Sequence, residues 1–250
     1  MSRTRLDHWM VEQGLAESRS QARQWILAGR VRVNGQVQSK AGWPTPAASR
    51  IEVAGAARFV GRGGEKIEAA LDAFALDVRG RVCLDVGAST GGFSDCLLQR
   101  GARRVYALDV GRGQLHWKLR QDPRVVVMEG VNARHVQPSD VPERMDLAVV
   151  DVSFISLTKI LPALMPLLRD DARLVALVKP QFEAGRDQVC RGGVVRDAAV
   201  HQAVLDRIRA FGGTIEGLDW IGTRPSPIQG LQSGNIEFLM AWRYARQNGP

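Results

Sequence analysis

Cysteine is scarce in this sequence, and its scarcity limits the kinds of site that the chain can build. The 250 residues include three cysteines, Cys83, Cys96 and Cys190. An odd number without a C-x-x-C pair or a Cys/His ligand spacing argues against a disulfide framework and against a zinc site. We therefore expect no bound metal, and a reducing compartment such as the cytoplasm fits this cysteine usage best.

Long apolar runs are also missing from the sequence. No segment approaches the roughly eighteen apolar residues of a membrane helix, and the opening MSRTRLDHWMVEQG lacks the apolar core of a signal peptide. Hydrophobic residues make up 45% of the chain and charged residues 24%, which is ordinary for a globular protein. Neither secretion nor a membrane partner is expected.

Acidic residues are sparse in the first quarter of the chain. Residues 1–62 contain ten Lys or Arg against four Asp or Glu, so they carry six of the eight net positive charges. Scattered arginines often form only a solvated face. A positive charge concentrated in one segment can instead mark a surface that binds an anionic partner such as nucleic acid.

The basic segment has the pattern of a small α+β module. Thr4 and Asp7 predict the start of a first helix, and Ser18 predicts the N-cap of a second helix that ends at Gly29. Asn34-Gly35 lies between alternating valines and predicts a β-hairpin. The proline-rich GWPTPAAS interrupts the pattern before a further strand, RIEVAG.

Six arginines of this module are predicted at helix ends or away from the apolar stripe, where several could meet one phosphate backbone. They are Arg3, Arg5, Arg19, Arg23, Arg30 and Arg32. The order of helix, helix and hairpin, with this spacing and charge, resembles the S4 RNA-binding domain. The resemblance implies that RNA is the anionic partner.

A second domain is predicted from Gly61 onward, so the expected division is 1–60 and 61–250. Short apolar runs bounded by turns alternate there with helical stretches. This alternation predicts the α/β class, with a Rossmann-like doubly wound sheet that has helices on both faces. Ligands of such sheets bind at the carboxyl ends of the strands.

The stretch CLDVGASTGGFSDCLLQRGARRVYALDV predicts a strand, a glycine-rich turn, a helix and a second strand. Gly87, Gly91 and Gly92 give G-x-x-x-G-G, which departs from the dinucleotide spacing G-x-G-x-x-G. Asp85 either caps the turn or meets a ligand, and Asp109 is placed to bind a ribose. This stretch alone leaves both a nicotinamide cofactor and S-adenosylmethionine open.

Two further strands end in ionisable residues. Asp151 follows the apolar run LAVV, and Lys179 follows ALV. A single strand-end Asp or Lys is more often a surface residue. Two of them beside a predicted cofactor turn form a candidate proton-transfer pair.

Six motifs in order, behind the S4-like segment, resemble one known family. They are GRGGEK, LDVGASTGGFSD, ALDVG, DVSFISL, LVKPQFE and GNIEF. This arrangement is similar to the TlyA-type, or hemolysin A, family of ribosomal RNA methyltransferases, whose catalytic domain is FtsJ-like. The resemblance implies methyl transfer from S-adenosylmethionine to the 2'-hydroxyl of a cytidine, with ribosomal RNA or a ribosomal subunit as partner.

The resemblance also implies site residues. The catalytic set carried over is Lys66, Asp151, Lys179 and Glu237, and Asn132 falls where related enzymes contact adenine. In the glycine turn, the backbone of Gly87, Gly91 and Gly92 and the hydroxyls of Ser89 and Thr90 are expected near the cofactor.

Two loops are further candidates for substrate contact. Residues 180–197 follow Lys179 and include Arg186 and Arg191, which could meet RNA phosphate, and TRPSPIQGLQSGN precedes Glu237 as a candidate lid. Two other functions stay open at this point. They are a nicotinamide-dependent oxidoreductase on the same sheet, and a membrane-lytic protein, because members of the family have been labelled hemolysins.

Overall fold

The computed structural model describes residues 3–16, 18–54, 58–230 and 234–245, although the side chain of Arg3 lies outside the described part. The chain forms two compact units, Met1–Arg58 and Phe59–Pro250.

Among its described residues, the first unit has two helices and five short strands. In chain order these are β1 (Arg3–Arg5), α1 (Leu6–Glu12), α2 (Arg19–Leu27), β2 (Val31–Val33), β3 (Gln36–Gln38), β4 (Pro44–Pro46) and β5 (Ile51–Val53). Strand β2 pairs antiparallel with both β3 and β5, and β1 pairs antiparallel with β4. A small apolar core fixes the helices on the sheet, with Leu6, Met10, Ala22, Ile26 and Val31 at its centre.

Two sequence predictions for this unit are confirmed. The Ser18 hydroxyl accepts a hydrogen bond from the Gln21 amide and caps α2. Asn34 and Gly35 both have positive φ, 50° and 82°, and connect β2 to β3 as a two-residue hairpin. Positive φ at both positions gives the turn the twist of the flanking strands.

Two other predictions for this unit are wrong. Thr4 does not cap a helix, because it lies in β1 and α1 begins two residues later, after Arg5. The proline-rich segment does not merely interrupt the pattern, since Pro44–Pro46 forms β4 opposite Arg3–Arg5. Prolines suit this position because a strand in a two-stranded ribbon has one edge whose amides need no partner.

The second unit alternates strands and helices. Its elements are α3 (Gly63–Ala73), β6 (Val82–Val86), α4 (Gly92–Gln99), β7 (Arg104–Asp109), α5 (Trp117–Arg120), β8 (Val125–Glu129), β9 (Met145–Val150), α6 (Leu161–Leu164), β10 (Leu168–Val178), α7 (Pro180–Glu183), α8 (Ala198–Gly213), β11 (Leu218–Pro225) and β12 (Phe238–Tyr244). Short 3-10 turns lie at Pro138–Asp140, Leu157–Lys159, Met165–Leu167 and Arg186–Gln188.

These strands form one seven-stranded sheet in the order β11-β12-β10-β9-β6-β7-β8. The five strands β6 to β10 are parallel, while β12 runs antiparallel to β10 and β11 antiparallel to β12. Alternate residues of β6 enter different cores, with Leu84 on one face and Cys83 on the other. The doubly wound α/β sheet predicted from the sequence is confirmed.

The chain winds outward in both directions from the neighbours β6 and β9. Such a reversal opens a crevice at the carboxyl ends of the central strands. Strand β11 was not predicted. Its residues alternate poorly between buried and exposed, because it lies at the edge of the sheet and only Leu218 is fully buried.

Candidate active site

The carboxyl ends of the parallel strands bring the predicted site residues to one edge of the sheet. Asp109 ends β7, Asp151 follows β9, and Lys179 follows β10. Glu237 reaches the same edge from the opposite direction, because it directly precedes the antiparallel strand β12. Lys66 comes from the first turns of α3.

The four residues of the predicted catalytic set form two ion pairs. Lys66 Nζ lies 2.5 Å from Glu237 Oε2, and Lys179 Nζ lies 2.6 Å from Asp151 Oδ1. Lys179 also donates to the Ser153 hydroxyl at 3.1 Å. Both lysines are 9% exposed, so each depends on its carboxylate for compensation of a largely desolvated charge.

All four side chains line one cavity of about 610 Å³. Its wall also includes Ser153, Phe154, Gln181 and Phe182. The phenyl rings of Phe154 and Phe182 lie 4.9 Å apart between centroids, and Lys179 Nζ lies 6.0 Å from the Phe182 ring. A cationic and acidic cluster therefore meets an aromatic surface in this cavity.

Phe154 has an unusual conformation for a large side chain. Its φ is +64° and the residue is 88% exposed. A bulky residue at positive φ is strained, and such strain is found preferentially at functional sites. Phe154 lies in the motif DVSF, but the exposure of its ring depends on the loop conformation and was not predicted.

A second cavity, of about 480 Å³, adjoins the first and shares Gly87, Ser89, Asp151, Ser153 and Phe154 with it. Its polar wall includes Asp109, Asn132 and Gln114, and its apolar wall includes Leu108, Val131 and Ile155. This volume and this mixed lining are typical of a small-molecule site. Gln114 and the apolar residues were not among the predicted contacts.

Asp109 organises the turn beside this cavity. Its two carboxylate oxygens accept hydrogen bonds from the amides of Ser89, at 2.8 Å, and Gly111, at 2.6 Å. Asp109 is half-buried, so its oxygens keep capacity for further donors. Asn132 uses its side-chain oxygen to accept from the Arg134 amide.

Gly87 is required by the close approach of two strand ends. Its φ is +86°, and a Cβ there would collide with the carbonyl oxygen of Asp151. Ser89 and Gly91 also have positive φ. When the sign of φ changes between successive residues of a turn, the backbone amide groups point into one concave surface.

Asp85 supports the turn from below. The residue is fully buried, and its Oδ2 accepts from both the amide and the hydroxyl of Ser94 in the first turn of α4. Burial raises the pKa of the Asp85 carboxyl to about 7, against the effect of the Ser94 hydrogen bonds. The other oxygen, Oδ1, has no hydrogen-bond partner among the described residues.

Four predicted cofactor residues do not line either cavity: Asp85, Thr90, Gly91 and Gly92. Thr90 is exposed, and its carbonyl accepts from the His116 amide. Gly92 begins α4 and packs so closely on Gly61 that a Cβ would lie 2.8 Å from the Gly61 carbonyl oxygen. These glycines shape the turn, and direct ligand contact by the four residues stays a prediction.

The predicted RNA-binding arginines differ in how firmly they are held. Arg5 forms a two-pronged ion pair with the buried carboxylate of Asp7, and Arg19 lies 3.6 Å from the same group. Arg30 stacks over Trp25, with the guanidinium 5.3 Å from the ring centroid. Arg32 donates to the Gly35 carbonyl.

The other arginines of the prediction are solvent-exposed: Arg23 in the first unit, and Arg186 and Arg191 in the second. Arg186 lies in a 3-10 turn after α7. The prediction for the side chain of Arg3 falls outside the described residues.

Residues 59–244 match the model of the FtsJ-like methyltransferase family. The chain belongs to this family. Residues 4–45 match the S4 domain, so an S4 domain precedes the methyltransferase domain.

Curated relatives cover nearly the whole FtsJ-like chain. The 16S/23S rRNA (cytidine-2'-O)-methyltransferase TlyA of Mycobacterium tuberculosis is 46% identical over 242 residues, which span 95% of this chain and 89% of that protein. Hemolysin A of Brachyspira hyodysenteriae is 45% identical over 238 residues, 94% of this chain and 98% of that protein. The family resemblance inferred from the six motifs is confirmed.

A solved structure from Streptococcus thermophilus, described as a candidate hemolysin, has a TM-score of 0.73 and 45% identity, covering 100% of this chain and 90% of that one. A candidate RNA methyltransferase from Pyrococcus horikoshii, at 19% identity and a TM-score of 0.52, shares the fold. No helix among the described residues of this FtsJ-like protein is both long and apolar enough to cross a bilayer.

Proposed function

We propose that this protein transfers a methyl group from S-adenosylmethionine to the 2'-hydroxyl of a cytidine in ribosomal RNA. One observation carries the proposal. Two lysine–carboxylate pairs line a cavity that adjoins a small-molecule cavity at the switch point of a methyltransferase sheet. The FtsJ-like family and the activity named for the relative from Mycobacterium tuberculosis support it.

The residues of the smaller cavity fit an adenosine-containing cofactor. Asp109 can accept hydrogen bonds from ribose hydroxyls, and Asn132 can both donate to and accept from an adenine edge. Apolar side chains such as Leu108 and Ile155 suit the faces of the base. When bound, S-adenosylmethionine supplies an activated methyl group on a sulfonium, which departs as a neutral thioether.

The larger cavity fits the second reactant. A ribose hydroxyl is a weak nucleophile, so catalysis must orient it and remove its proton as the bond from oxygen to the methyl carbon forms. Lys179, in its neutral form, is proposed to take this proton on Nζ. Glu237 holds Lys66 through a charge-assisted hydrogen bond, and Asp151 holds Lys179 through an ion pair, so the four residues act as a unit.

The surroundings of the larger cavity suit a nucleotide. The exposed ring of Phe154 can stack on a base, which is how proteins commonly hold an unpaired nucleotide of RNA. The S4 domain supplies the cationic surface for the surrounding phosphates. These contacts do not depend on a nicotinamide ring or a membrane, and the family assignment favours methyl transfer over both alternatives.

The test uses ribosomal subunits that lack cytidine 2'-O-methylation. Purified protein and labelled S-adenosylmethionine are added, and the label is mapped along the RNA. We expect label on a cytidine ribose with the wild-type chain and none with Lys179→Met. Label on a base, or no label on any ribosomal substrate, would overturn the proposal. Calorimetric titration with S-adenosylmethionine and with NAD separates the two cofactors.

A further inference from the structure

A buried carboxylate outside the catalytic set links the two chain segments that carry Asp151 and Lys179. Glu183, at the end of α7, is 5% exposed. It accepts hydrogen bonds from the Ser156 hydroxyl at 2.7 Å and from the Leu157 amide at 2.8 Å. Arg207 of α8 donates to the same carboxylate at 3.1 Å and also to the Glu183 carbonyl.

Two partners of Glu183 lie in the chain segment that follows Asp151, while Glu183 itself lies in the segment that follows Lys179. Ser156 and Leu157 belong to the loop that leaves β9 at Asp151, whereas Glu183 lies four residues after Lys179. The parallel ladder between β9 and β10 ends at the pair Val150 and Ala176. Beyond that pair, the two segments no longer pair with each other.

Past the ladder, each segment is still tied to its other neighbour, since the Asp151 amide donates to the Val86 carbonyl and Val178 pairs with Phe238. Direct links between the two segments are made there by side chains. One link is the ion pair between Asp151 and Lys179, and another is the hydrogen bond from Lys179 to Ser153. Glu183 adds a link farther along both segments. Because its carboxylate does not line the catalytic cavity, it can act on the reaction only through the residues that do.

The buried carboxylate of Glu183 depends on its hydrogen-bond donors. Burial raises the pKa of its carboxyl, while the hydrogen bonds from Leu157 and Ser156 and the charge of Arg207 act in the opposite direction. A buried carboxylate is stable only while its partners stay in place. The carboxylate therefore favours the single arrangement of the two segments in which all its donors reach it.

We propose that Glu183 is a positioning residue, which holds the loop after Asp151 against the segment after Lys179 and so sets the geometry of the catalytic pair. This inference rests on the proposed methyl transfer. Loss of the link lets the two segments move relative to each other. Displacement of reacting groups by about 1 Å can reduce turnover by about 100-fold.

The experiment compares Glu183→Ala and Glu183→Gln in the full-length chain on ribosomal subunits. Glu183→Ala should lower kcat by about 100-fold, with affinity for S-adenosylmethionine and KM for RNA within about threefold of wild type. Glu183→Gln retains an oxygen for the Leu157 amide and can donate to the Ser156 hydroxyl, and it loses the acceptor for Arg207. It should therefore keep kcat within about tenfold of wild type.

Glu143→Ala is the matched control. Glu143 accepts hydrogen bonds from Arg103, Arg104 and the Tyr106 hydroxyl, at the end of β7 opposite to Asp109. Glu143→Ala should lower the melting temperature, as Glu183→Ala does, and should leave kcat unchanged. Three results would overturn the positioning role. The first is a wild-type kcat in Glu183→Ala. The others are equal losses of kcat in Glu183→Ala and Glu143→Ala, or in Glu183→Ala and Glu183→Gln.

Ser156→Ala covers the case in which Glu183→Ala fails to fold. It removes one hydrogen bond to Glu183 and should lower kcat by about tenfold without a change in cofactor affinity. Full turnover in Ser156→Ala would then contradict the inference. A wild-type chain that methylates no ribosomal RNA overturns the proposed function and this inference with it, whereas an active wild type with fully active variants overturns this inference alone.

Discussion

Lys179 and Asp151 follow two neighbouring parallel strands, and their charged atoms meet at 2.6 Å just beyond the strand ends. Both side chains lie mostly out of contact with water, with 10% and 19% of their surface exposed. The pair is thus a fixed element of the cavity wall, just beyond the last paired residues of β9 and β10.

Replacement of Lys179 by methionine should abolish methyl transfer and leave affinity for S-adenosylmethionine within a few-fold of wild type. Methionine fills a similar volume but cannot accept a proton. Single-turnover methylation and calorimetry measure the two effects separately. Lys159→Met, at an exposed lysine in the 3-10 turn after Ser156, is the control and should be fully active. Methylation by Lys179→Met near the wild-type rate would remove Lys179 from the mechanism.

Glu237→Gln should reduce activity less than Glu237→Ala. Glutamine keeps a hydrogen-bond acceptor for Lys66, whereas alanine leaves a buried ammonium group without its partner. Breaking a buried ion pair by removing one partner typically destabilises a protein by about 3–5 kcal/mol. Chemical denaturation and kcat measurements on both variants test this order. Equal activity in the two variants would show that Lys66 does not need this acceptor.

Asp109→Ala should weaken binding of S-adenosylmethionine. A charged hydrogen bond is worth about 1.5–3 kcal/mol, so the loss of one corresponds to about tenfold to a hundredfold in Kd. Asp109→Asn should bind with intermediate affinity, because its amide oxygen can still accept from the Ser89 or Gly111 amide. Calorimetry on variants that retain their melting temperature tests this order. Unchanged affinity in Asp109→Ala would contradict the ribose assignment.

Asp85 should make the protein less stable as the pH rises. Its folded-state pKa of about 7 lies above the ordinary value of 3.8, so between these values the folded state holds a proton that the unfolded state has released. Stability then falls with rising pH by about 1 kcal/mol per unit within this window. Denaturation from pH 4 to 7 should show a more negative slope for wild type than for Asp85→Asn. Equal slopes would mean that Asp85 is ionised throughout.

A fragment from Phe59 to Pro250 should fold and bind S-adenosylmethionine but lose most affinity for RNA. The fragment lacks residues 1–58 and with them the arginine cluster. Fewer counterions are then released when RNA binds, so the affinity for RNA should depend less steeply on salt concentration. Calorimetry and RNA binding across a salt series test the two parts. RNA binding as tight and as salt-dependent as that of the full chain would transfer recognition to residues such as Arg186 and Arg191.

The start of this fragment matters, because the domain division expected at Gly61 omits two residues that pack within the second unit. Phe59 is buried beside Gly64, and the Val60 amide donates to Asp95 at 2.9 Å. Removing a buried phenyl group typically costs about 3–5 kcal/mol. A fragment from Gly61 should therefore unfold at a lower temperature than one from Phe59, and identical melting curves would contradict this role of Phe59.

The sequence contained enough information to predict the sheet and to place two of the four predicted catalytic residues at strand ends. Asp151 and Lys179 each follow an apolar run, so the local pattern places both at strand ends. Lys66 and Glu237 have no such local signal, and only the motif resemblance connected them. Ser153 and Phe154 escaped prediction because their orientation depends on a loop held by tertiary contacts.

The antiparallel direction of β12 has a consequence for the order in which the protein matures. Glu237 lies 171 residues after Lys66, and it can reach its partner only after β12 has added to β10. A chain still under synthesis at about 5–20 residues per second can build the β6–β10 ladder before this strand exists. Lys66 then lacks its partner Glu237 until the later residues have been synthesised. A nascent chain that ends before β12 can therefore assemble the β6–β10 part of the sheet and still lack the ion pair between Lys66 and Glu237.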